Sequence, residues 1–202
     1  MEYLFAGLKV SYDYLIGKTN EYMKYFSDDA DLKSTKVKRV YPKLSRLEQL
    51  QWFFGLPTYI KDHIYLGSAF NAATKSTLDK LNIKYIINVT DKIENYFPDF
   101  FVYENYIIDD NDQQHIIPYL EKSYQKIKEF QSKQDGNILI HCVMGASRSA
   151  SIVCYYLMRE YNLDPKEIYY AMKLKRDCVN PSHIFYYDLY EEYVNKLNQL
   201  NQ

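Results

Sequence analysis

Cysteine is scarce in this 202-residue chain: there are three, Cys142, Cys154 and Cys178. An odd number without metal-type spacing suggests neither a disulfide framework nor a zinc site. A reducing, cytoplasmic setting is therefore the default expectation, with nuclear access left open. Long apolar runs are missing too. No stretch approaches the roughly eighteen residues that a membrane-spanning helix needs, so no membrane role is expected. The first residues, Met1-Glu2-Tyr3-Leu4-Phe5, have neither the basic-then-apolar layout of a secretory leader nor the glycine that myristoylation needs. Charge of one sign is lacking as well: the formal net charge is −1. No global basic field speaks for nucleic acid, and none draws the chain to a membrane surface.

What is present is ordinary for a soluble globular protein: 47% hydrophobic and 25% charged, enough to fill a core. The length suits one domain with an extension better than two domains. Tyrosine is abundant, at 23 residues, but evenly scattered. That reads as half-buried faces rather than a stacking surface.

Residues 1–54 read as a helical N-terminal extension. Apolar positions recur at helical spacing at Leu4, Leu8, Tyr12 and Leu15, then at Tyr22, Tyr25 and Phe26. The polar stretch Ser27–Asp31 interrupts them, and Ser34–Lys38 reads as loop. Leu44–Phe54 resumes the helical pattern, which Gly55 and Pro57 end. From residue 55 to 202, short apolar runs alternate with helical stretches, the pattern of an α/β domain. Strands are expected at Ile64–Leu66, Tyr85–Val89, Phe101–Tyr103, Tyr106–Ile108 and Asn137–His141. Helices are expected at Thr74–Leu81, Ile116–Gln131 and Ala150–Tyr161. Asp164, Pro165 and Glu167 signal another helix running to about Arg176, and Pro181-Ser182 opens a last one to about Leu200.

The segment His141-Cys142-Val143-Met144-Gly145-Ala146-Ser147-Arg148-Ser149 joins an apolar strand to a helix. A loop entering a helix aims successive backbone N–H groups at one spot, and the helix dipole adds positive potential there. Residues 143–148 thus suit an anion, phosphate above all. Arg148 follows Cys142 by six positions, and its planar fork can hold two phosphate oxygens at once. Gly145 lets the backbone turn. A thiol at Cys142 faces the same electropositive spot, so it should ionise near neutral pH and act as nucleophile. Ser149 can hydrogen-bond that sulfur. His141 reads as a residue that orients the loop, since a thiolate already formed needs no base. A buried strand cysteine before an ordinary turn is the bland alternative, which spacing alone leaves open.

His-Cys, five residues, then Arg-Ser resembles the signature of the protein tyrosine phosphatase superfamily, and most closely its dual-specificity branch. The resemblance extends to Ile64–Ala72, Ile86–Thr90, Ala150–Val153 and Asn180-Pro181, and so covers about 57–196. The stretch from Glu94-Asn95-Tyr96-Phe97-Pro98 to Asp110 is similar to slingshot-type and MAP-kinase-phosphatase-type members. The resemblance implies a central, mostly parallel sheet of about five strands flanked by helices. It implies hydrolysis of phosphotyrosine and phosphoserine/threonine through a phosphocysteine, with no metal and no cofactor. It also implies an aspartate that protonates the departing oxygen.

Asp109, Asp110 and Asp112 compete for that role, with Glu104 further off. In the family the acid follows an alternating apolar strand and precedes an apolar helix position by six. Asp110 fits, with Ile108 two residues before it and Ile116 six after; Asp109 is second choice. The loop at 143–148 holds no lysine, which argues against the inositol-lipid branch of the superfamily.

Other features are weaker. Lys36–Leu44 alternates basic and apolar residues and reads as a solvated linker, with kinase docking the lesser alternative. A homodimer through the N-terminal helices is a further expectation. Cys154 and Cys178 read as core packing in preference to redox partners of Cys142. His63, His115 and His183 have no partner pattern, and Arg176-Asp177 reads as an ordinary charged helix end. Two competitors stand beside a phosphoprotein phosphatase: a module that binds phosphate without turnover, and an enzyme for a non-protein phosphate ester.

Overall fold

A computed structural model describes residues 45–111 and 113–200, all within one compact unit, Tyr41–Gln202. The extension residues 1–44, including the candidate docking segment and the helices expected to dimerise, lie outside the described residues. The expected boundary at 54/55 falls inside the unit.

Five strands form one sheet: β1 (Thr58–Lys61), β2 (Ile64–Gly67), β3 (Ile83–Asn88), β4 (Val102–Asn105) and β5 (Asn137–His141), in the order β1-β2-β5-β3-β4. The neighbours from β2 to β4 are parallel and β1 is antiparallel to β2, so the sheet is mixed. Helices are α1 (Arg46–Phe54), α2 (Ala69–Ala72), α3 (Lys75–Lys80), α4 (Ile117–Ser132), α5 (Arg148–Tyr161), α6 (Pro165–Lys175) and α7 (His183–Leu200).

Alternation along the central strands builds a core on each face. Ile138 and Ile140 of β5, with Tyr85 and Ile87 of β3, enter the larger core beneath α4, α5, α6 and α7. Leu139 and Ile86 point the other way, to Ala72, Leu78 and Phe101. Each fully buried Leu or Ile contributes about 1.5–3 kcal/mol. Residues 148–158 of α5 are all buried, so this helix lies in the core and its N-terminus is fixed at the carboxyl end of β5.

Two strand expectations change and one strand is new. Tyr106–Ile108 is not a strand; only the Tyr106 amide bonds back to β3, at Asn88 O. The preceding strand shifts to Val102–Asn105. Strand β1 was unforeseen because its hairpin turn lacks glycine. Asp62 and His63 both take positive φ, +52° and +66°, as a tight hairpin requires. The Asp62 carboxylate accepts hydrogen bonds from the Tyr156 and Tyr161 hydroxyls at 3.0 and 2.5 Å, which hold it there.

Candidate active site

Strand β5 ends at His141, and Cys142–Ser147 wraps around the uncapped N-terminus of α5. Each loop carbonyl from Val143 to Ala146 is bound from outside, and that of Ser147 starts the hydrogen-bond ladder of α5. Val143 O accepts from Ala69 N (3.0 Å), Met144 O from Arg176 Nη2 (2.9 Å) and Gly145 O from Arg176 Nε (3.0 Å). Ala146 O accepts from Asn180 N (2.8 Å), and Ser147 O from Ser151 N (2.9 Å). A peptide's C=O and N–H point in opposite directions. Carbonyls tied outward therefore leave the amides turned inward, as an anion cradle needs.

Gly145 adopts φ +67° and lies so close to β2 that a Cβ would sit 2.3 Å from Gly67 O. Both the backbone angle and the space require glycine here.

Cys142 is buried, and its Sγ accepts from Gly145 N at 3.3 Å and Ser149 Oγ at 3.2 Å. Burial pushes the thiol up. The Arg148 charge, the Ser149 hydroxyl and the Ser149 and Ala146 amides outweigh that and leave it below its ordinary value. His141 is wholly buried, and burial lowers it to about 4, so it is neutral at physiological pH. Its Nδ1 faces Cys142 O at 3.4 Å, an orienting contact.

Arg148 is 5% exposed. Its Nη1 donates to Ile108 O at 3.2 Å, while its Nε makes no hydrogen bond. A buried donor left unbonded is costly, and an anion in the cradle would satisfy it.

The acid loop runs from Tyr106 to Ile116. Asp110 accepts from Ser147 Oγ at 2.8 Å, and its other oxygen lies 4.0 Å from Arg148 Nε. Asp109 turns away to Lys92 Nζ at 3.0 Å, and that hydrogen bond holds its carboxyl below the ordinary range. Of the two, Asp110 alone reaches the Cys142 loop. Asp112 lies outside the described residues. Glu104 pairs with Lys126 at 3.7 Å, on β4 and away from the loop.

Two residues near the site were not foreseen, and a third does more than expected. Arg176 is fully buried and grips two loop carbonyls, rather than ending a helix in solvent. Asp188 of α7 is also fully buried; it accepts from His115 Nδ1 and Ile116 N, both at 2.7 Å, and pins the end of the acid loop. Neither had a sequence signal, because their partners are 31 to 124 positions away. Ser147, expected to bind phosphate through its amide, also uses its hydroxyl, which accepts from Ser182 N at 3.1 Å as well as donating to Asp110. Cys154 and Cys178 are buried free thiols, and burial raises both. They are packing residues in chemical character.

A family model described as the catalytic domain of dual-specificity phosphatases matches residues 64–195. The chain belongs to this family. Among curated relatives, Drosophila melanogaster protein phosphatase Slingshot is 36% identical over 130 residues, 64% of this chain. Human Slingshot homolog 2 is 37% identical over 137 residues, 68% of this chain. These matches span only 12% and 10% of those relatives' own lengths. A Dictyostelium discoideum protein, a probable rhodanese domain-containing dual specificity protein phosphatase, is 36% identical over 62% of this chain and 26% of its own. Among solved structures, the human tyrosine phosphatase-like serine/threonine/tyrosine-interacting protein superposes with TM-score 0.65 at 27% identity, covering 70% of this chain and 98% of that one. Human DUSP28 (TM-score 0.64, 22% identity, 71% and 99% covered) shares the fold. Helix α1 and strand β1 precede the first residue of the dual-specificity domain match.

Proposed function

We propose that this dual-specificity family member is an active protein phosphatase that hydrolyses phosphotyrosine and phosphoserine/phosphothreonine through a phosphocysteine. The carrying observation is the buried Arg148 with its unbonded Nε, set beside a lowered thiol in a ring of outward-tied carbonyls.

The chemistry follows from those groups. Substrate phosphate sits on the 143–148 amides and the Arg148 fork. The Cys142 thiolate attacks phosphorus, the P–O ester bond breaks, and Asp110 gives its proton to the leaving oxygen. Water then attacks the phosphocysteine and gives its proton to Asp110. The S–P bond breaks, and the Ser149 hydroxyl stabilises the departing thiolate. No step in this scheme calls for a metal or a cofactor. Similarity to protein phosphatases supports a phosphoprotein substrate. A kinase as that substrate and a homodimer through residues 1–54 remain proposals, tested by substrate trapping and sedimentation. A thiolate nucleophile works only while reduced, which supports a cytoplasmic location.

A module that binds phosphate without turnover would use the same cradle, but it has no need of a lowered thiol. The purified protein should turn over an aryl phosphate and phosphopeptides of all three hydroxyl types. Cys142→Ser should bind them without turnover. Full activity in Cys142→Ser, or binding without hydrolysis by the unaltered chain, would sink the proposal.

A further inference from the structure

Arg176 is a charged side chain with 0% exposure. Burying a guanidinium is expensive unless its donors are met. Among the described residues no carboxylate pairs with it. Its oxygen partners are neutral: Gly145 O at 3.0 Å, Met144 O at 2.9 Å, Trp52 O at 3.2 Å and Thr58 Oγ1 at 3.4 Å, and the Cys178 thiol also lies against it. The Trp52 ring covers it, with 5.4 Å from the guanidinium carbon to the ring centroid.

The two loop carbonyls it grips are not arbitrary. Met144 C=O shares a peptide unit with the Gly145 N–H, and Gly145 C=O shares one with the Ala146 N–H. Those two amides face the Cys142 sulfur: Gly145 N lies 3.3 Å from Sγ, and the Ala146 amide helps to lower the thiol. A cation on the oxygen of a planar peptide aims the N–H on its far side and polarises it. Arg176 thus acts on the sulfur from behind the loop, through two peptide units.

Arg176 is in turn held by α1. Trp52 supplies both ring and carbonyl. The end of α1 is tied to the segment behind the loop by Ser68 Oγ to Phe53 O (2.7 Å) and Asn71 Nδ2 to Gly55 O (2.6 Å). Helix α1 lies outside the dual-specificity domain match, which starts at residue 64.

We propose that Arg176 is a positioning residue that aims and polarises the Gly145 and Ala146 amides at the Cys142 sulfur and the bound phosphate, and that α1 acts on the reacting loop through Trp52 and Arg176. This rests on Cys142 being the nucleophile.

The test uses the full chain and three variants: Arg176→Met, Arg176→Lys and Trp52→Leu. The rate of Cys142 alkylation by iodoacetamide is followed against pH, with the Cys142 peptide read by mass spectrometry. Inhibition by inorganic phosphate is measured alongside. Arg176→Met should move the alkylation midpoint up by about one pH unit or more and weaken phosphate inhibition by about tenfold. Arg176→Lys and Trp52→Leu should shift both in the same direction by less. A purely structural role would lower the melting temperature and leave the alkylation profile in place. A folded Arg176→Met with the unaltered chain's profile overturns the proposal. If Arg176→Met does not fold, unchanged profiles in both other variants overturn it. Hydrolysis by the unaltered chain together with a dead Cys142→Ser separates that failure from failure of the nucleophile assignment itself.

Discussion

Two loops at the carboxyl end of the same sheet do opposite things with their backbones. The loop after β5 is half-buried to buried and tied at every carbonyl from Val143 to Ser147. The backbone of the loop after β4 is tied at Tyr106 N, Ile107 O, Ile108 O and Ile116 N, with Asp110 and Asn111 exposed between. The difference fits the chemistry proposed for Cys142 and Asp110. A thiolate and a phosphate dianion need fixed dipoles that cost nothing to reorganise as charge moves. A proton donor must exchange its proton with water once per cycle, and the Asp110 side chain is 30% exposed.

The sharpest way to break this comparison is to remove the proposed acid. Asp110→Asn should slow hydrolysis of phosphoserine, an alkoxide leaving group, by about 10²–10⁴-fold. It should affect a nitrophenyl ester much less, since that oxygen leaves without a proton. Asp109→Asn, which alters the contacts to Lys92 and Asn111 and none to the Cys142 loop, should be close to the unaltered chain on both. Equal losses in the two variants would dissolve the distinction between Asp110 and Asp109.

The next effect belongs to the buried loop alone. His141 is held neutral, at about 4 against an ordinary 6.5. As pH falls from 6.5 towards 4, the unfolded chain takes up a proton that the folded chain refuses. The contribution is fully present above 6.5 and is lost progressively down to about 4, worth about 3 kcal/mol in all. Melting temperature should therefore fall over that window, and less steeply in His141→Asn. Parallel profiles for the two proteins would show that His141 is not the group responsible.

The smallest effect probes the sulfur directly. Ser149→Ala deletes the 3.2 Å hydrogen bond to Cys142 Sγ. A hydrogen bond to a charged group is worth about 1.5–3 kcal/mol. The thiol should titrate about one unit higher, with kcat down at least tenfold and KM little changed. An unchanged alkylation profile would remove Ser149 from the set of groups that stabilise the sulfur.

Local signals carried a large part of this. The apolar run Asn137–His141 and the Asp164-Pro165 start of α6 appear where periodicity and capping put them. Asp110, chosen on its distance from Ile108 and Ile116, does reach the Cys142 loop. Strand β1 was missed because its turn uses Asp62-His63, with Asp62 held by tyrosines that lie 94 and 99 positions along the chain. Tyr106–Ile108 was overcalled as strand because an alternating apolar pattern also describes a loop whose residues Tyr106 and Ile108 are buried and whose Ile107 is exposed.

The order of strand, Cys142, Gly145, Arg148 and helix was legible in the sequence because it is local, although spacing alone left open a buried strand cysteine before an ordinary turn. Which way the loop's peptides face was decided only by tertiary structure. That depends on Ala69, Asn180 and Arg176 arriving from distant parts of the chain to bind carbonyls from behind. Arg176 shows the physical reason most clearly: in sequence it is a charge at a helix end, and only burial among neutral oxygens gives that charge a direction.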